Sequence, residues 1–163
     1  MTILKYFKKE EYKLQLEKMQ EEKKIRRQQI RHKKEILANR MYHLARAYVL
    51  ESENTTNQSW QSAIDNYQLV KRTYMQLNIN WHRIIIILVE LSYIYLQIGN
   101  IQKAESSLAE AEETLLERSF DNAQIPKVIL ENKIKIQKAM IAKEGGNLHK
   151  AADILTNVLV NNI

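Results

Sequence analysis

The chain has 163 residues, 45% of them apolar and 27% charged, enough for one good core in an ordinary soluble composition. It has no cysteine, which excludes disulfides, thiolate nucleophiles and thiolate zinc sites and is compatible with a reducing compartment. The net charge of +6 is uneven: residues 1–40 hold 13 Lys or Arg against 6 Asp or Glu, whereas residues 41–163 hold 12 against 13, so the basic character belongs to one end.

Three glycines and one proline leave little material for hairpin turns, so long helices are expected. The opening Met-Thr-Ile-Leu-Lys-Tyr-Phe-Lys-Lys has no apolar stretch of signal-peptide length. The densest apolar run, Ile84 to Val89, is six residues against the roughly 20 that cross a bilayer. No membrane partner is expected. A cytoplasmic location follows, with the nucleus left open. Asn54 and Asn57, each in an Asn-x-Thr or Asn-x-Ser triplet, then read as ordinary polar loop residues.

From about Leu4 to Ser52 there is neither Gly nor Pro, and good helix formers dominate, which predicts one helix or two with a slight break. Residues 1–35 form a basic helical arm. Between Glu17 and Glu35 its only aliphatic or sulfur side chains are Met19, Ile25 and Ile30, too few for a packed stripe, so it should lie in solvent with pairs such as Glu22 and Arg26. The arm carries Lys23, Lys24, Arg26, Arg27, Arg31, Lys33 and Lys34, a density that attracts a polyanion. No aromatic residue lies between Tyr12 and Tyr42, so base-stacking platforms are missing. That omission favours an acidic protein surface, such as that of tubulin, over nucleic acid.

Residues 36–161 read as three helical hairpins, 36–77, 80–118 and 125–161. The first helix packs Leu37, Met41, Leu44, Ala45 and Tyr48, and the polar segment Glu51 to Gln58 ends it. The second runs from Ser59 through Trp60, Ala63, Ile64, Tyr67, Val70 and Tyr74 to about Leu77. The third starts near Asn80 as N-cap and carries Ile84, Leu88, Leu91, Tyr95 and Ile98, with Ile87 and Ile94 on a second apolar face. Its β-branched run Ile84 to Ile87 allows a strand, but the helical spacing persists for four turns and a helix is expected.

The phrase Gly99-Asn100-Ile101-Gln102-Lys103-Ala104 returns as Gly146-Asn147-Leu148-His149-Lys150-Ala151. Gly99 supplies a left-handed C-cap and Asn100 caps the next helix, whose buried stripe is Ala104, Leu108, Ala111 and Leu115. Glu105, Glu110, Glu112, Glu113 and Glu117 should form an exposed acidic face. Residues 119–124 read as a loop, and Pro126 fits the first turn of a helix lined by Ile129, Ile136, Ala139, Met140 and Ile141. The last helix is lined by Ala151, Ile154, Leu155, Val158 and Leu159.

Leu91, Ser92, Tyr95, Gly99, Asn100, Ala104, Leu108 and Ala111 resemble the signature of the tetratricopeptide repeat (TPR) family, in which small residues let paired helices approach closely. Ala139, Ala142, Gly146, Asn147, Ala151, Leu155 and Val158 resemble it more loosely, with Lys138 and Ala142 where large residues are usual. Ala45, Tyr48, Ala63, Tyr67 and Val70 correspond in the first hairpin. The distances Ala63 to Ala104 and Ala104 to Ala151 are 41 and 47 residues, so the resemblance is to the long-repeat branch rather than the 34-residue form. It implies an all-α, TPR-like superhelix of three hairpins with a long basic N-terminal helix.

A looser similarity is to ciliary TPR proteins that help attach inner dynein arms, some of which carry a zinc finger that a chain without cysteine cannot form. That similarity implies a cilium or axoneme.

Histidines 32, 43, 82 and 149 fall in four different elements, and no phosphate loop or nucleophile motif is present. No catalytic, cofactor or metal site is expected. The expected function is a non-enzymatic scaffold in a multiprotein assembly, with a nucleic-acid-associated regulator as the alternative. Partner contacts in the groove are assigned to His43, Arg46, Trp81, Arg83, Glu90, Lys133 and Lys135, polar residues of the inner helices. A C-terminal apolar contact is assigned to Ile154, Leu155, Val158 and Leu159, which no capping helix follows.

Overall fold

The computed structural model describes residues 2–55, 59–120 and 125–161. It is all-helical: α1 Thr2–Asn54, α2 Trp60–Leu77, α3 Trp81–Gln97, α4 Ile101–Glu117, α5 Lys127–Glu144 and α6 Leu148–Asn161, with no strand among the described residues. No helix among them is long and apolar enough to cross a membrane. The isoleucine run of α3 is helical, as its spacing requires. Asn57 and residues 121–124 lie outside the described residues, and Asn54 is the last residue of α1 rather than part of a loop.

The chain divides into two compact units, Met1–Leu37 and Ala38–Ile163. In the first, every described side chain from Thr2 to Leu37 is exposed except the half-buried Glu10 and Glu35. Glu22 and Arg26 form no ion pair, because an exposed pair of this kind gains little more than the side-chain entropy it costs.

In the second unit α3 is the hub, packing against α2, α4 and α5, while α4 packs on α5 and α5 on α6. Ile84, Leu88, Leu91 and Tyr95 are buried along one side of α3, and Ile85, Ile87 and Ile94 are buried as well. Such a helix, apolar around most of its circumference, is stable only with neighbours on several sides. Ala104, Leu108, Ala111 and Leu115 bury the matching stripe of α4, and Ala63, Tyr67, Val70 and Tyr74 that of α2.

The corners explain why the helices stop where they do. Gly99 has φ +80 and Gly146 φ +82. At the first corner the N–H of Asn100 donates to the Tyr95 carbonyl and that of Gly99 to Leu96; at the second, Asn147 donates to Ala142 and Gly146 to Lys143. The Asn100 side chain then accepts the Lys103 N–H, as the Asn147 side chain accepts that of Lys150, each at 3.1 Å. One glycine and one asparagine therefore satisfy the last carbonyls of one helix and a first N–H of the next.

A third corner is built the same way without glycine. Asn78 takes φ 53, its N–H donates to Met75 and that of Ile79 to Tyr74. Asparagine tolerates the left-handed region better than most residues, but it does so too quietly to flag a corner in sequence.

Several expected stripes are corrected. In α1 the buried residues are Ala38, Tyr42, Ala45, Val49 and Ser52, whereas Leu37 and Leu44 are exposed. The buried edge is set by Tyr42, which meets the Tyr67 ring at 6.1 Å. In α5 the core face is Leu130, Ile134 and Gln137, while Ile129 and Ile136 are exposed, because apolar residues are spread around this helix and periodicity alone cannot choose a face. Gln137 is buried because its amide donates to Ser92 Oγ at 3.2 Å.

Ile98 is exposed. Asn80 has φ 54 and makes no side-chain cap, and Pro126 stands at the N-cap rather than inside the helix. The acidic face of α4 is not wholly solvated: Glu110 accepts from Lys71 at 3.1 Å and Glu112 from Lys138 at 2.8 Å, tying α4 to α2 and α5. Phe120, which no periodicity marks, is buried in the core cluster.

Gly99→Ala and Gly146→Ala should each destabilise the protein by about 1–2 kcal/mol, since a Cβ is strained at positive φ even where space is free. Each should lower Tm by about 2–6 °C, and the pair should be nearly additive in thermal denaturation. Gly145→Ala, at φ −75 with ordinary contacts, should change stability by less than about 0.5 kcal/mol.

Candidate binding surfaces

The arm is one helix, so each residue turns about 100° around its axis. On that geometry the seven basic residues Lys23, Lys24, Arg26, Arg27, Arg31, Lys33 and Lys34 fall within one half of the circumference. Lys5, Lys8, Lys9 and Lys13 share that half. All six acidic residues, Glu10, Glu11, Glu17, Glu21, Glu22 and Glu35, fall on the other, where Lys18 is the one base of residues 2–37. Composition alone reports +7 for this end; the helix resolves it into two oppositely charged sides.

The polar residues assigned to a groove separate into three environments. His43, Arg46 and Glu90 meet in a cavity of about 300 Å³ between α1 and α3, together with Val49, Leu50 and Glu53. Burial pushes the Glu90 carboxyl above the usual glutamate range; Arg46 and Lys133 pull it down without cancelling the effect, and Glu53 adds to the rise. The Tyr93 hydroxyl donates to Glu53 at 2.6 Å, and burial with this bond pushes it up to about 12. Arg46, Glu53, Glu90 and Lys133 thus make a mixed-charge surface.

Beneath this surface the Tyr67 hydroxyl is fully buried and has no hydrogen-bond partner among the described residues. Burial, then the nearby Glu90 and Tyr42, raises it far above the usual phenol range.

Arg83 and Trp81 are engaged within the protein. Arg83 donates to Asn39 Oδ1 at 2.9 Å and to the Tyr74 hydroxyl at 3.3 Å, and its guanidinium lies 5.3 Å from the Tyr42 ring centre. Tyr74 donates to the same Asn39 oxygen. Trp81 is covered by the Arg118 guanidinium at 3.6 Å and donates its indole N–H to Asn78, locking the α2–α3 corner onto the end of α4. Asn39, Asn78 and Tyr74 carry these networks, and nothing in local spacing distinguishes them from other polar or core residues.

Lys135 lines a different, larger cavity of about 730 Å³ among α4, α5 and α6, floored by Leu108, Ile141 and Ile154. The C-terminal apolar set is divided: Ile154 and Val158 are half-buried, whereas Leu155 and Leu159 are exposed.

Of the histidines, His82 is half-buried, and burial followed by Arg83 lowers its pKa. His32 and His43 share α1 rather than lying in separate elements, because the helix runs unbroken from the arm into the packed unit, and His149 lies 3.6 Å from Asp153, four residues on. No group of three His, Asp or Glu among the described residues is placed to hold a metal ion.

Glu90→Gln tests the groove. Because the folded carboxyl holds its proton more tightly than the unfolded one, wild-type stability falls as pH rises out of the usual glutamate range. In urea unfolding at neutral pH the variant should be more stable than wild type, and its advantage should vanish in acid, where the carboxyl is protonated in both states. An advantage that persists in acid would remove burial of the charge as the cause.

Comparison of the chain with protein-family models, with curated proteins and with solved structures finds no match.

Proposed function

We propose that this chain is a non-enzymatic scaffold, in which residues 38–161 form a long-repeat, TPR-like superhelix that holds protein partners and the basic half of the arm docks on an acidic protein surface. The observation that carries the reading is the solvated cationic half of Lys23 to Lys34, free of aromatic residues. Eleven bases on one side of a helix concentrate positive potential along a strip, and an anionic protein surface answers it by charge alone.

The repeat reading draws on the two glycine-asparagine corners, which close with the same bonds, and on small residues at Ser92, Ala104 and Ala111, which let α3 and α4 pack closely. The mixed-charge groove of Arg46, Glu53, Glu90 and Lys133 is the partner surface of that block. Tubulin, with its acidic tails, is one surface of the required chemistry, and an axonemal setting fits it.

The test uses the full chain and a variant with Lys23, Lys24, Arg26, Arg27, Arg31, Lys33 and Lys34 all changed to Gln. Binding to microtubules, RNA and duplex DNA is measured across a salt series. Wild type should bind microtubules with steep salt dependence, and the variant should bind at least about tenfold more weakly with a flatter slope. Preference for RNA or DNA, or undiminished microtubule binding by the variant, overturns the scaffold reading.

A further inference from the structure

The acidic side of the arm has a feature that the polyanion reading does not use. Ile3, Leu14, Ile25 and Ile36 recur at intervals of 11 residues and are 71, 64, 45 and 38% exposed. Eleven residues make three helical turns with a drift of only about 20°, so the four side chains follow one nearly straight line. At about 1.5 Å per residue the line is about 50 Å long. It runs through the middle of the sector that holds all six glutamates, and the exposed Phe7 lies on it. Leu4 stands at the edge of the same sector, at the angle of Glu22, whereas Tyr12, Leu16, Met19, Ile30 and Leu37 lie among the bases on the opposite side.

From this line we infer that the acidic side of the arm is a seam for a second, basic α-helix. A row of large apolar residues three turns apart over such a length matches another rod, because only a helix presents side chains in register along it. The charge fixes what kind of rod. With Glu10 and Glu11 above Leu14, and Glu21 and Glu22 before Ile25, the margins of the line are anionic, so the partner carries Lys or Arg beside its own apolar row.

A second copy of this chain that meets it seam to seam brings the same glutamates together and is repelled. The occupant assigned here is a basic amphipathic helix of another protein, and a second copy that offers its basic side is an outcome of the test. This goes beyond the scaffold reading, which concerns the opposite side of the same helix. The arm then joins two partners of opposite charge.

The probe is a synthetic helical peptide of about 33 residues with Leu at the same 11-residue spacing and Lys on both margins, and its control has Gln in place of Lys, so that neither peptide is drawn to the basic half of the arm. Each is labelled and titrated with the full chain at low salt. The lysine peptide should bind at least about tenfold more tightly than the glutamine peptide. L14D/I25D in the full chain should weaken it by about tenfold or more, with helicity and the unfolding midpoint unchanged, since both positions are exposed. The seven-site Gln variant should bind it equally or more tightly, which separates failure of the seam from failure of the polyanion reading.

Equal or better binding of the glutamine peptide, no binding of either, or indifference to L14D/I25D overturns the inference. So does a dimer of the chain in sedimentation that L14D/I25D dissolves, because that outcome gives the seam to a second copy.

Discussion

The fold of residues 38–161 depends on ending helices without leaving their carbonyls unpaired. A helix that stops inside a packed block loses partners for its last carbonyls, and an unsatisfied buried group costs about 1–3 kcal/mol. Gly99 and Gly146 avoid that cost by entering the left-handed region, which turns their own N–H groups and those of Asn100 and Asn147 back onto the helix. Asn100 and Asn147 then start the following helix at once. Because each corner takes only three residues, the paired helices lie side by side, and alanines 104, 111 and 151 become crossing points rather than gaps.

The junction of α1, α2 and α3 is held by a different principle. Here large rings, Tyr42, Tyr67 and Tyr74, fill the space between helices, and Asn39 and Arg83 satisfy the hydroxyl that Tyr74 carries inward. The Tyr67 hydroxyl has no such partner among the described residues. Two packing regimes therefore meet on α3: close contact through small residues toward α4, and aromatic filling toward α1 and α2. Its residue pattern, apolar around nearly the whole circumference, serves both.

Helix existence was legible throughout, since the chain is poor in Gly and Pro and its apolar spacing is strong in α2, α3 and α4. Legibility failed where periodicity was diffuse. In α5 isoleucines point in several directions, and the face that is buried was chosen by Gln137 reaching Ser92, a tertiary bond that no local pattern encodes. In α1 the apolar spacing points one residue early, because Leu37 and Leu44 outweigh Ala38 and Tyr42 in hydrophobicity but not in fit. Of the groove residues, charge singled out Arg46 and Glu90, which do share a cavity. It could not tell them from Arg83, which the interior consumes.

The two repeat spacings of 41 and 47 residues differ for a local reason: the connection 118–126 before α5 is nine residues long, whereas 78–80 before α3 is three. The extra length therefore lies in the connection between the α3–α4 and α5–α6 pairs, while the joint within each of those pairs is three residues long. A single residue added to the start of α4 would rotate Ala104 by about 100° out of its contact. Length added at 118–126 touches none of the bonds that close the glycine corners.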